Sequence, residues 1–363
     1  MTDLNPFLKK LISSAGLSAY EDPTRKLIEE AWRPLTDELR VSRVGSLYGL
    51  KRGKMTPRPE PCPSILLAAH MDAVGLMVTG LVGEFLRVTE IGGLDPRVLP
   101  GQLVTVHGRQ DLPGVLVQPP DHLLPEDLSG KPIPLEYLLV DTGLPARSLA
   151  RLAQVGDPIS FAQEPLQLGE DTIAGHSLDD RAAVAVLTGC LDQLQSRLHT
   201  WDVWAVATVQ EEETFAGALT SSFELHPDLA IAVDVTFAKG VNDSGEYRVF
   251  PMGEGVTIAW GPNIHSGLHR KIKEVAEKFE IPHNFETTPK HSGTDAFAMQ
   301  IAHAGIPTAV LGIPLRYMHT VVEVVSMKDI ARAGRLLAEF ITQLTPDFMQ
   351  ELSWDEDKKD QVL

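Results

Sequence analysis

Five places in the chain set His or acidic residues at the ends of apolar runs: His70-Met71-Asp72, Leu178-Asp179-Asp180-Arg181, Gln210-Glu211-Glu212-Glu213, Val233-Asp234-Val235 and Tyr317-Met318-His319. In open α/β sheets, functional groups gather beyond the carboxyl ends of strands. Several of these groups follow an apolar run directly. Taken singly, each has a plain reading. A His at a strand end is more often a hydrogen-bonded structural residue, and with 12 histidines most must be of that kind. Asp179-Asp180 can cap a helix and complement its dipole. Glu211, Glu212 and Glu213 can form a solvated acidic turn. Asp234 is harder to dismiss, because a carboxylate on an apolar strand is costly unless paired or on a metal. Together they meet one chemical demand. Two divalent cations roughly 3.5–4 Å apart can act on a hydrolytic water. Such a pair wants a bridging carboxylate, one imidazole per metal and a further carboxylate per metal. Three carboxylates and a bridging hydroxide neutralise two dications. A free acidic residue is still needed as general base.

The elements that must position these groups read as follows. Asn5 caps a first helix, Pro6 takes its first position, and Phe7, Leu8, Leu11, Ile12 and Ala15 share a face up to Gly16. Asp22-Pro23 opens a second helix with Leu27, Ile28, Ala31 and Trp32 inward. A short strand region ends near Lys51. Ser64 to Ala69 reads as a fully buried strand running into His70. From about Val74 to Phe161 the texture changes to short strands between Gly and Pro turns, at 85–88, 103–106, 114–117 and 136–140. Only 146–153 looks helical there, and Pro119 to Pro134 reads as a Pro-rich loop. This is the punctuation of a small β-barrel or sandwich. After about Glu164 the α/β rhythm returns. Helices are expected at 181–194, 264–279 and 294–304, and strands at 201–209, 229–233 and 307–313. A last helix starts at Ser326, with Asp329 as its capping-box partner, and runs to about Leu344. A charged tail, 353–363, follows. The expected architecture is one α/β domain interrupted by a β domain inserted after His70-Met71-Asp72.

Composition narrows the function. A chain of 363 residues suggests about two domains. Hydrophobic residues at 43% and charged residues at 22% exclude wholesale disorder. Cys62 and Cys190, without a CxxC, exclude a disulfide scaffold or a cysteine-rich zinc module and fit a reducing cytosol. A net charge of −17, with no basic cluster, argues against nucleic-acid partners. Met1 to Pro6 has no signal-peptide pattern, and no apolar run approaches the roughly 18 residues of a membrane span. A cytoplasmic, soluble protein is expected.

At this point the chain resembles a known family, the dinuclear metallo-aminopeptidases that include glutamyl, deblocking and tetrahedral (TET-type) aminopeptidases. The resemblance rests on Ala68-Ala69-His70-Met71-Asp72-Ala73-Val74-Gly75-Leu76-Met77, Ser177-Leu178-Asp179-Asp180-Arg181-Ala182 and Thr208-Val209-Gln210-Glu211-Glu212. It continues with Ala232-Val233-Asp234-Val235-Thr236, Ser292-Gly293-Thr294-Asp295-Ala296 and Arg316-Tyr317-Met318-His319-Thr320, the last followed by Val322-Glu323-Val324-Val325. Six motifs in family order span nearly the whole chain.

The resemblance implies an α/β fold: a mixed-sheet, three-layer α/β/α catalytic domain, zinc-peptidase-like, over 1–73 and 165–363. It implies an inserted β-barrel dimerisation domain over 74–164. Asp179 would bridge two divalent metals, zinc first, with cobalt or manganese as alternatives. His70 and Asp234 would complete one metal, Glu212 and His319 the other. Glu211 would be the general base, and Asp72 would orient His70. Asp180 would be a helix-entry neighbour rather than a ligand. Substrates would be short peptides cleaved at their N-termini. The protein would be a homo-oligomer, a dimer that can extend to a hollow dodecamer.

Two departures stand out. Relatives usually follow the paired glutamates with Val-Gly-Leu-Arg-Gly-Ala, where this chain has Glu213-Thr214-Phe215-Ala216-Gly217-Ala218. That change bears on substrate preference. His176-Ser177 stands where a small or basic pair is usual, and a structural role for His176 is the favoured reading. The same ligand set would also serve a carboxypeptidase or an acyl-amino-acid deacylase, and the need for a free α-amino group separates these. A glycosidase would use two carboxylates and has no use for His70 and His319. A non-catalytic scaffold has no use for the complete set.

Overall fold

The computed structural model describes residues 3–54, 61–128, 131–240 and 249–353. Helices α1 (Leu4–Ile12) and α2 (Asp22–Trp32) lead into strands β1 (Glu38–Val41), β2 (Leu47–Lys51) and β3 (Ser64–His70). Strands β4 (Gly75–Val82), β5 (Phe85–Ile91), β6 (Leu103–His107), β7 (Asp111–Val117) and β8 (Leu139–Asp141) follow, then α3 (Ala146–Leu152) and β9 (Pro158–Phe161). Next come β10 (Leu166–Leu168), β11 (Thr172–Gly175), α4 (Leu178–Leu194), β12 (Asp202–Thr208), α5 (Glu211–Thr214), α6 (Ala216–Leu225) and β13 (Leu229–Phe237). The chain continues with β14 (Val256–Trp260), α7 (Ser266–Lys278), β15 (His283–Thr287), α8 (Asp295–Gln300), β16 (Thr308–Arg316), β17 (Glu323–Ser326), α9 (Met327–Thr342) and α10 (Phe348–Glu351).

Eleven of these strands form one mixed sheet, ordered β1-β2-β12-β3-β13-β16-β17-β11-β10, with β14 on β16 and β15 on β14. The central strands β12, β3, β13 and β16 are parallel. Their side chains alternate between faces. Ile65, Leu67, Leu229, Ile231, Ala309 and Leu311 pack on one side with residues of α1, α2, α4, α7 and α9. Leu66, Ala68, Ala230, Ala232 and Val310 pack on the other with residues of α6 and α8. That is a three-layer α/β/α arrangement. The near-continuous apolar runs of these strands follow from having helices on both faces.

Strands β4 to β9 close a separate barrel, ordered β4-β5-β8-β7-β6-β9. It has its own core around Leu76, Val78, Val104, Leu116 and Val140. Val321, between β16 and β17, is fully buried in that barrel core. Val82, Leu103, Leu123 and Val155 are exposed on the barrel side, and Leu219, Phe223, Phe297 and Ile301 on α6 and the α8 region. No helix of the described residues is long and apolar enough to cross a membrane.

Local departures from the sequence reading have simple causes. The α1 cap is Asp3, whose carboxylate accepts from Asn5 N at 3.1 Å, and the helix ends at Ile12, before Gly16. The 136–140 run gives a 3₁₀ turn after Pro134 and only three strand residues. Helix α8 stops at Gln300, short of His303 and Gly305, which have positive φ. Ser326 caps α9 as expected, but Asp329 turns away to accept from Gly253 N and Gly255 N. Residues 129–130 of the Pro-rich stretch and 354–363 of the tail lie outside the described residues.

Candidate metal centre

Strand periodicity brings the first groups together. Thr208 of β12 pairs in register with His70 of β3, and Ala232 of β13 with Ala68. Side chains therefore repeat every second residue, so His70, Thr208 and Asp234 leave the carboxyl ends of three parallel strands on the α6/α8 face. The remaining groups come from sharp turns beyond those ends. Ser177 (φ 60°) precedes Asp179 and Asp180, which are non-helical at the head of α4 and joined by a cis peptide. Gln210 (φ 59°) turns β12 into α5, whose first residues are Glu211 and Glu212. Tyr317 and His319 also hold positive φ, at 61° and 60°. Left-handed backbone at non-glycine residues costs on the order of 1–3 kcal/mol each and collects at functional sites.

The side chains converge in a cleft of about 310 Å³. His70 Nε2 lies 3.2 Å from Asp179 Oδ1 and 3.7 Å from Glu211 Oε2. His319 Nε2 lies 3.5 Å from Asp179 Oδ2 and 3.6 Å from Glu212 Oε2. Asp179 thus turns one oxygen toward each imidazole. Ligand atoms of His70, Glu211 and Asp234 fall within 4.8 Å of one another, as do those of His70, Asp179 and Glu212. Asp179, Asp180 and Asp234 form a third such group.

Further carboxylates hold these groups in place. Asp72 accepts from Glu211 N at 3.0 Å, from Glu212 N at 3.3 Å and from the Ser18 hydroxyl. His70 Nδ1 faces the Asp72 carbonyl at 3.2 Å and Asp72 Oδ1 at 3.5 Å. Both are acceptors, so a proton on Nδ1 is held there, and Nε2 points at the Asp179 and Glu211 carboxylates in the cleft. Glu323 accepts from His319 N at 3.0 Å and from Asp179 N at 3.1 Å. Asp295 accepts from Thr208 Oγ1 at 2.5 Å. The barrel reaches the site too: Gly92 N donates to Glu213 at 2.6 Å, and Asp95 N to the His319 carbonyl at 3.4 Å.

The electrostatics are those of an acidic cluster short of cations. Burial pushes the Glu211 carboxyl up to about 10, with Asp234, Asp295 and Glu212 adding to the rise against His70. Burial also raises Glu212, Asp180, Asp234 and Glu323 well above the carboxylate range. Burial opposes a charged His70, yet Glu211, Asp179 and Asp72 outweigh it and raise its pKa. Burial opposes ionisation of Asp72 as well, but bonds from His70, Ser18 and Glu211 N hold it low. Arg181, fully buried behind the site, donates to the carbonyls of Leu11, Ser14, Gly16 and Met71 and leaves the carboxylates uncompensated. Oδ1 of Asp180 and Oδ1 of Asp295 are buried without a partner. Buried carboxylates demand positive charge. Imidazole nitrogens and carboxylate oxygens in this number suit divalent cations.

His176 stands apart. It bonds Ser177, packs edge-on to Phe161, and burial, then Arg181, push its pKa down to about 3. It is a neutral structural His. Glu323 and Asp295 received no role from the sequence, although both lie in the motif stretches. A glutamate on the apolar strand Val322 to Val325 carries the same signal that singled out Asp234.

Comparison with known proteins bears on the family of the chain. Residues 45–336 match the M42 glutamyl aminopeptidase family. The lysyl aminopeptidase of Pyrococcus furiosus is 37% identical over 353 residues, 93% of this chain and 97% of that one. A solved aminopeptidase from the archaeon Desulfurococcus kamchatkensis has a TM-score of 0.88 at 32% identity, over 98% of this chain and 99% of that one. The TET1 peptidase of Pyrococcus horikoshii, which can assemble into a tetrahedron or a large octahedral shell, has a TM-score of 0.80 at 27% identity, over 94% of this chain and 100% of that one. With a match over most of its length, and with that fold, the chain belongs to the M42 glutamyl aminopeptidase family and is a peptide-bond hydrolase.

Proposed function

We propose that this chain removes N-terminal residues from short peptides with a dinuclear metal centre and Glu211 as general base. The observation that carries the reading is Asp179, one of whose oxygens faces His70 while the other faces His319. His70 and Asp234 would hold one ion, Glu212 and His319 the other, and Asp179 both. When bound, two divalent cations supply Lewis acidity toward the scissile carbonyl and lower the pKa of water. Glu211 takes a proton from the attacking water and returns it to the leaving nitrogen as the C–N bond breaks. Positive charge entering the cluster lowers the raised pKa of Glu211 and eases ionisation of a group that must accept and release a proton. Asp72 acts through the Glu211 amide and the His70 ring, fixing both in position.

The reading includes zinc as the native ion, a cytoplasmic location, a catalytic unit of 1–73 and 165–363, and a 74–164 insertion that joins copies into a homo-oligomer. Assembly of the TET1 relative supports the last point. The test is chelation followed by refilling with zinc, cobalt or manganese, with metal content counted per chain. Activity on aminoacyl-anilides should vanish and return as two metals bind, and N-acetylated substrates should not be cut. Full activity after exhaustive stripping would sink the metal reading. Equal cleavage of acetylated substrates would favour the deacylase alternative.

A further inference from the structure

Among the described residues lining the metal cleft, one carboxylate is not used by the proposed reaction. Glu286, on β15, lines it half-buried and far along the sheet from His70 in strand order. Its carboxylate is held from two sides: Thr236 Oγ1 donates at 2.7 Å and Thr257 Oγ1 at 2.5 Å. The place is made by Gly312, the strand partner of Asp234. A Cβ there would stand 2.2 Å from Thr257 Oγ1 and 3.1 Å from Glu286 Oε2. No cationic side chain of the described residues pairs with Glu286 or lines this end of the cleft. The rest of the lining mixes apolar Ala259, Val310 and the half-exposed Phe237 with the hydroxyl residues Thr288, Ser292 and Thr294.

A cleft that offers apolar wall residues and one fixed anion matches a side chain with a methylene stem and a cationic head. The Glu286 carboxylate lies beside Gly312, the strand neighbour of Asp234, and Thr236, two residues on from Asp234, donates to it, so the anion stands next to the proposed ligands although its strand is remote in the sheet. Two hydroxyl donors leave each carboxylate oxygen with further lone pairs, so the group can accept from an ammonium or guanidinium without giving up its supports.

We propose that Glu286 is the specificity residue that selects lysine or arginine at the substrate's N-terminus. The proposal rests on the aminopeptidase reading of the same cleft, and the two can fail separately. The test compares lysyl- and norleucyl-anilide, which share a stem and differ in the ammonium, on the refilled enzyme and its Glu286→Gln variant. The wild type should favour the lysyl substrate in kcat/KM by about 10- to 100-fold, the range of one charge-assisted hydrogen bond. The variant should lose most of that ratio. A second measurement does not depend on turnover: free L-lysine should bind the wild type more tightly than L-norleucine by calorimetry. Norleucyl cleavage with no lysyl preference would overturn this proposal and leave the aminopeptidase reading intact. Equal loss on both substrates in the variant would also overturn it, placing Glu286 on the shared α-ammonium or in the framework. No cleavage of any anilide by the refilled wild type would overturn the underlying reading instead.

Discussion

Replacing Glu323 by Gln tests whether the second imidazole is held by a buried clamp. Glu323 is 1% exposed and spans two backbone amides, at 3.0 Å to His319 N and 3.1 Å to Asp179 N. Gln keeps one acceptor oxygen and turns an NH₂ toward the other amide. One charge-assisted hydrogen bond is lost and two donors are left facing each other. A bond of that kind contributes about 1.5–3 kcal/mol. At 1.4 kcal/mol per tenfold, the whole loss falling on metal affinity would weaken it roughly 10- to 100-fold, the range typical of groups that orient metal ligands. The assay is competition with a graded series of chelators, followed by metal content and activity. The variant should surrender one of two ions first, and excess metal should restore activity. Unchanged affinity for both ions, with only a drop in melting temperature, would refute the clamp and make Glu323 a framework residue.

Other outcomes follow from the same geometry. Glu211→Gln should keep two metals while turnover falls on the order of 10²–10⁴-fold, whereas Glu212→Gln should weaken metal binding; the reverse pattern, read by metal analysis and kinetics, would exchange their roles. The metal-stripped protein should lose stability as pH rises. Glu211 is raised from 4.5 to about 10, so its contribution is full below the lower value and is lost as pH climbs toward the upper. His70, raised as well, acts in the same direction. Thermal melts across that window should slope downward when stripped and flatten when refilled; a rising slope in the stripped protein would contradict the burial account. Light scattering should show at least a dimer, and Leu103→Asp or Val155→Asp on the barrel should dissociate it with metal content retained. A monomeric wild type at micromolar concentration would leave gating of the cleft as the barrel's purpose.

The sequence made the site legible because its groups sit where periodicity changes. His70 and Asp234 end or interrupt buried strands, and a polar residue in such a run has few inexpensive explanations. Asp179 sits just before the expected helix 181–194, whereas no helix is expected at Glu211, whose place is set by the turn at Gln210. The supporting carboxylates were harder to see. Asp329 occupies a capping-box position yet serves Gly253 and Gly255, a partnership set by tertiary contact about 75 residues away in the chain. Glu286 lies on a half-buried strand with no apolar run, so nothing local distinguished it from a solvent-facing acid. Its meaning appears only when β14 and β16 bring Thr257 and Gly312 beside it. The barrel was legible as short strands between turns, but its closure depends on β4 meeting β9, a pairing across more than 70 residues that carries no local signature.

The segment from Tyr317 to Glu323 belongs to two cores at once. Val321 is plugged into the barrel, Glu323 faces the sheet's cluster of carboxylates, and His319 hangs between them with its carbonyl on Asp95. The barrel therefore works as a lock on the last imidazole rather than as an appendage. A chain whose sheet has formed while its barrel is still open has no seat for Val321 and no fixed course for His319. Such a half-finished chain leaves His319 unplaced beside Asp179 and Glu212, so the cleft is complete only when both cores have closed.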